Sequence, residues 1–150
     1  MSLLPKSLLA FGLLLASVLV PKGTALAALA VNNSELQTLI RNCEAQNGKA
    51  CTDLGRMYFS GMGVSAMDVQ QDLEKAAEYS AKGCELQNGL ACGILGSLYY
   101  NGRGVSKNVA KAAEYYTKGC GLQDTFACEG LEWFYIGQGV DKDYARTVKL

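Results

Sequence analysis

The residues best placed to do chemistry are thiols. Six cysteines stand at Cys43 and Cys51, Cys84 and Cys92, and Cys120 and Cys128, and the members of every pair are 8 positions apart. A thiol can serve as a nucleophile, a metal ligand or half of a disulfide. The chain has no histidine, which removes the Cys–His and Ser–His pairs in which an imidazole takes the proton. Structural zinc usually takes four ligands, often from cysteine pairs two to four residues apart. The longer C-x7-C spacing does not match, so no metal is expected. Disulfides remain. Two residues eight apart on one helix are separated by about 12 Å of rise, whereas a disulfide joins Cα atoms roughly 4.4–6.8 Å apart. The chain must therefore reverse between the two sulfurs, and Asn47-Gly48 and Asn88-Gly89 are turn signals at the right place. Six cysteines allow many connectivities, but the identical spacing favours Cys43–Cys51, Cys84–Cys92 and Cys120–Cys128. Each would close a ring of about nine residues and contribute on the order of 2.5 kcal/mol by restricting the unfolded chain.

The elements that hold these thiols repeat with them. The pairs recur after 41 and then 36 residues, a period that marks a solenoid. The flanks agree. Leu54-Gly55 and Tyr58 in one repeat match Leu95-Gly96 and Tyr99 in the next, and Leu131 and Tyr135 follow in the third. Lys75-Ala76-Ala77-Glu78-Tyr79 matches Lys111-Ala112-Ala113-Glu114-Tyr115. Each unit reads as two helices. Helix A carries the Ala-Ala-Glu-Tyr block, and helix B runs from about the second cysteine to the tyrosine, with Cys92, Leu95, Gly96 and Tyr99 at helical spacing. The Gly-x-Gly-Val that follows, as in Gly102-Arg103-Gly104-Val105, reads as a helix stop. It is not a phosphate loop, which needs a preceding strand and a further glycine. The expected fold is all-α, an αα-superhelix of disulfide-stapled helix pairs.

Outside the repeats, Lys6 precedes an apolar run from Leu8 to Val20, and Ala25-Leu26-Ala27 follows. That order of basic, apolar and small residues is the pattern of a secretory signal peptide. Residues 1–27 are therefore expected to be removed, leaving a repeat domain over residues 34–150 with about three repeats, the C-terminal one incomplete. The apolar run is shorter than the roughly 20 residues of a membrane span, so no permanent membrane anchor is expected. Cleavage removes Lys6 and Lys22 and no acidic residue, so the 14 basic residues fall to 12 against 14 acidic, a net charge of −2. Such a balance lacks the basic footprint of a nucleic-acid binder, and no motif calls for a cofactor. An even cysteine count in an exported chain fits an oxidising compartment.

The 36-residue period, the Leu-Gly-x-x-Tyr run, the Gly-x-Gly-Val stop and the Lys-Ala-Ala block resemble Sel-one-like repeats. With the C-x7-C pairs added, the chain resembles the Helicobacter cysteine-rich protein family over residues 34–150. The resemblance implies a right-handed superhelix, a secreted or periplasmic location, and a disulfide joining the two helices of each repeat. It also implies two competing roles. One is an adaptor that holds a protein or peptide on a concave face built mainly from the A helices. The other is a weak β-lactam-binding or β-lactam-hydrolysing protein, whose ligand would be a β-lactam or a related peptidoglycan-like molecule. The chain departs from the pattern at Glu132, which stands where Gly55 and Gly96 let helices approach.

The motifs of serine β-lactamases are missing: no serine has lysine three positions later, and there is no Lys-Thr-Gly. Ser80, two residues before Lys82, comes closest, but side chains two apart on a helix point to different faces. The catalytic residues, if any exist, are unknown. Glu74 and Glu78 read as a solvated helix face beside Lys75 and Lys82, and Tyr58, Tyr99 and Tyr135 as core. Two aromatics are candidate partner contacts. Trp133, the single tryptophan, stands where the repeat has Arg56 and Ser97, and it either anchors a partner or covers the end of the solenoid. Of the adjacent Tyr115 and Tyr116, one can be buried while the other faces the groove, and Tyr116 is the candidate.

Overall fold

The computed structural model describes residues 34–62 and 69–137. The export segment with its cleavage site after Ala27, the first Gly-x-Gly-Val stop beyond Met62, and the C-terminal half pair ending at Leu150 lie outside the described residues. Among the described residues six helices follow one another: α1 over residues 34–44, α2 Gly48–Ser60, α3 Leu73–Glu85, α4 Gly89–Asn101, α5 Val109–Gly121 and α6 Thr125–Gly137. Among the described residues there is no strand, and no helix is long and apolar enough to cross a membrane. Helices α1, α3 and α5 are the expected A helices, and α2, α4 and α6 the B helices.

Each A helix passes into its B helix through the same pivot, and its chemistry differs from an Asn-Gly turn. In the second repeat the Gln87 N–H donates to the Cys84 carbonyl and the Asn88 N–H to the Gly83 carbonyl, which is the Schellman closure of a helix C-terminus. The left-handed residue is Gln87, at φ 63°, and Gln46 and Gln123 repeat it at 63° and 62°. Asn88 then caps α4 by accepting from the Ala91 N–H. Asn47 does the same for α2, and Asp124 accepts from the Ala127 N–H at 2.8 Å for α6. One residue thus ends one helix and starts the next. Gly89 is not the turn residue. A Cβ there would lie 2.6 Å from the Asp124 Cβ and 3.0 Å from the Gly119 carbonyl oxygen, so its missing side chain lets successive pivots stack.

The pivots bring the sulfurs together. Cys43 is bonded to Cys51, Cys84 to Cys92 and Cys120 to Cys128, with Cα separations of 4.7, 4.6 and 4.4 Å. Each bridge ties the last turn of an A helix to the first turn of the following B helix. Cys51, Cys84 and Cys92 are fully buried with Leu54, Met57, Leu95 and Leu98, so the bridges are part of the core. B helices end at Gly61 and Gly102, whose φ of 70° and 67° is the left-handed geometry that glycine adopts without strain.

Helices α2 to α6 pack each on its chain neighbours within that run, and the B helices also touch across repeats, α2 with α4 and α4 with α6, while α3 and α5 approach each other far less. A stack of helix pairs curves towards the row with the closer spacing. The B helices therefore form the inner row, contrary to the expectation that the A helices build the concave face. Gly93 of α4 gives room for this approach: a Cβ there would lie 2.8 Å from a Phe126 ring carbon and 3.2 Å from Ala127, both on α6.

Candidate ligand cavity

Helix α6 has an aromatic stripe. Phe126, Glu129, Gly130, Trp133 and Phe134 fall at i, i+3, i+4, i+7 and i+8 and so share one face of the helix. That face looks onto Ser97 and Tyr100 of α4, with Tyr116 of α5 beneath, and together these residues enclose a cavity of about 280 Å³. Such a stripe is ordinarily buried, yet Trp133 is 68% exposed and Phe126 40% exposed. Both sit at the rim. Inside, Tyr100 meets Phe134 edge to face with ring centroids 6.3 Å apart, a geometry that adds to the burial of the two rings.

The floor is Tyr116. Its ring is only 6% exposed, wedged between Gly96 of α4 and Gly130 of α6. A Cβ on Gly96 would come within 2.9 Å of the ring, and one on Gly130 would overlap it. Burial pushes the phenol pKa above its ordinary 10.0, while a hydrogen bond with Ser97 works in the opposite direction. Tyr116 is thus not an exposed anchor, as the sequence suggested; the glycines on both sides draw it inward. Its neighbour Tyr115 keeps partial exposure and stacks on Tyr99 at 5.6 Å. The structure nevertheless brings the two nominated aromatics, Trp133 and Tyr116, to one cavity.

The other candidates lie elsewhere. Ser80 is fully buried, and its hydroxyl has no hydrogen-bond partner; it sits where a Cβ on Gly55 would strike it. Tyr58 and Tyr99, read as core, are the inner halves of a repeating stack. Tyr58 lies on Tyr79 with centroids 5.7 Å apart, and Lys75 and Lys111 lie 5.2 Å over Tyr58 and Tyr99. Glu78 pairs with Lys82 at 2.7 Å, a solvated helix face. A second hollow, lined by Cys43, Glu44, Gln46, Lys82, Glu85 and Leu86, lies between the ends of α1 and α3. No group of three or more His, Cys, Asp or Glu side chains that could hold a metal is found among the described residues.

Sequence reasoning missed Ser97, Tyr100, Phe126, Glu129, Gly130 and Phe134. The signal was present for α6, where the stripe has helical spacing, but an apolar stripe on a repeat helix ordinarily reads as core.

These features define a disulfide-stapled αα-superhelix with an aromatic cavity opening between two helices of its inner row. The profile of the Sel1 repeat family matches residues 48–88, 89–124 and 130–150, more than half of the chain, and the chain belongs to that family. Its fold is similar to that of a Sel1 repeat protein from Oxalobacter formigenes known from a crystal structure, with a TM-score of 0.59 and 24% identity, covering 76% of this chain and 84% of that one. At that identity the likeness concerns the fold alone. No curated protein matches the chain.

The matched segments also set the phase of the repeat. Two of them begin at Gly48 and Gly89, the first residues of α2 and α4. The family unit is therefore a B helix followed by the next A helix, and the Cys84–Cys92 bridge joins one unit to the next rather than stapling a single unit.

Proposed function

We propose that the protein is an exported adaptor of the cysteine-rich Sel1 type, which holds a peptide segment of a partner protein in the cavity between α4 and α6. One observation carries this reading: Trp133 and Phe126 stand exposed at the mouth of a cavity whose walls are aromatic. Exposed aromatics beside a preformed pocket are where binding energy concentrates at protein interfaces. Export, with cleavage after Ala27, is supported by the signal-like segment and by three disulfides, which persist in oxidising compartments.

The β-lactam reading rests on resemblance. A hydrolase needs a hydroxyl beside a base. Ser97, a serine lining the cavity, is hydrogen-bonded to the Tyr116 phenol, a group that burial makes a still weaker acid, and Ser80 is sealed in the core. The adaptor reading is tested by a photo-crosslinking residue placed at Trp133 in the mature, oxidised protein, with one at Lys49 as a control. A discrete partner crosslinked from position 133 alone, and lost on competition with a peptide derived from it, is the expected result. Crosslinking from neither site, together with rapid turnover of a chromogenic cephalosporin, would make the protein an enzyme instead.

A further inference from the structure

Which peptide side chain suits this cavity follows from its charge and its faces. The wall helix α4 contains no charged residue, and α6 contains Glu129 and Glu132 and no lysine or arginine. Asp124 stands at the start of α6, where its carboxylate accepts from Ala127. Among the described cavity-lining residues Glu129 alone carries a charge, and the others are Tyr100, Tyr116, Phe126, Trp133 and Phe134 with Ser97 and Gly130. Lys107 lies 5.9 Å from the Tyr100 ring centroid and is not among the described lining residues.

Aromatic faces carry negative potential and attract cations placed over them. Elsewhere the described residues use that attraction four times, with Lys75 over Tyr58, Lys82 over Tyr79 and Lys111 over Tyr99, each at 5.2 Å, and Arg103 over Phe59 at 6.0 Å. The described lining of the cavity holds the same two ingredients, rings and a carboxylate, and one of those rings, Tyr100, already has Lys107 over it. A planar guanidinium matches the cavity best, because it stacks on aromatic faces and presents paired N–H donors to a carboxylate.

Resting on the adaptor reading, we infer that the cavity takes an arginine side chain of the partner peptide, stacked among Tyr100, Phe126 and Trp133 and hydrogen-bonded to Glu129. Apolar residues flanking that arginine would cover the exposed rim.

The lone tryptophan makes the test direct, since intrinsic fluorescence reports on the cavity itself. The oxidised full chain is titrated with a blocked peptide, acetyl-Ala-Leu-Arg-Leu-Ala-amide, and with its citrulline counterpart, which keeps the shape and loses the charge. Calorimetry on the same samples covers binding that leaves the indole unaltered. The arginine peptide is expected to saturate and to bind about tenfold more tightly than the citrulline peptide. Glu129→Gln, on the exposed face of α6, should keep its melting temperature, bring the arginine peptide to the citrulline level and leave the citrulline peptide within about twofold. Equal affinity for the two peptides, or an equal loss of both in Glu129→Gln, would overturn the arginine assignment while leaving a peptide site. Saturation by neither peptide would overturn the assignment and this cavity as the adaptor site together.

Discussion

The packing of α2 on α3 and that of α4 on α5 start from the same glycine and end as different surfaces. Gly55 meets Ser80, and at the equivalent position Gly96 meets Tyr116. A serine lets the first pair of helices close up, and the interface is sealed. A tyrosine at the same register projects past Gly96 as far as α6, where Gly130 makes room for it. Position 130 corresponds to Ile94, which is buried. The two interfaces thus exchange volume, Ser80 with Ile94 in one and Tyr116 with Gly130 in the other, and the second arrangement leaves an aromatic cavity. A repeat can gain a site without any change of fold when bulk moves from one helix to its neighbour, because packed interiors respond to volume locally.

The largest effect expected is loss of the bridge that joins the two regions. Reduction opens three short rings, each worth about 2.5 kcal/mol, and their sum rivals the stability of a whole small domain. Heating the reduced protein while following helical circular dichroism should show a transition lowered by tens of degrees or no cooperative transition at all. A melting temperature within a few degrees of the oxidised protein would mean that packing alone holds the repeats.

Next comes conversion of the open interface into the closed one. Tyr116→Ser removes a buried ring and should cost about 3 kcal/mol in denaturant unfolding. Adding Gly130→Ile should recover at least half of that loss and abolish peptide binding at the cavity. If the double variant is no more stable than the single one, the exchange of volume is not the cause of the difference.

The two glycines should then part company. A Cβ on Gly55 meets the Ser80 hydroxyl and, within 3.1–3.3 Å, its backbone, whereas one on Gly96 meets only Tyr116 ring atoms. Overpacking costs about 1–3 kcal/mol, and alanine returns about 1 kcal/mol of helix propensity. Gly55→Ala should therefore lose about 2 kcal/mol and Gly96→Ala less than about 1 kcal/mol. Equal losses would show that backbone and side chain yield alike.

Smallest of all is Ser80→Ala. It removes a buried hydroxyl that has no partner, so stability should rise or stay within about 0.5 kcal/mol. Any slow hydrolysis of a cephalosporin should be unchanged. A large loss of turnover in this variant would place chemistry at Ser80 after all.

Much of this molecule follows from local sequence. The repeated eight-residue spacing demands a chain reversal between paired cysteines, and the reversal occurs at all three positions because helix caps are short-range interactions. Even there a detail escaped. Asn-Gly suggested that glycine turns the chain, but Gln87 takes the left-handed conformation while Asn88 caps the next helix, since the cap bond and the Schellman bonds together outweigh a penalty of roughly 1–2 kcal/mol. Which helices face inward was not legible, because curvature depends on the relative spacing of two rows, a sum over many contacts between repeats. Nor was the cavity. Trp133 stood out as an aromatic at a polar position, but Tyr116 could be exposed or buried until its neighbours were known. Only the tertiary structure sets a glycine on each side of that ring, since Gly96 and Gly130 lie 34 positions apart in the chain and meet the ring only when α4, α5 and α6 pack.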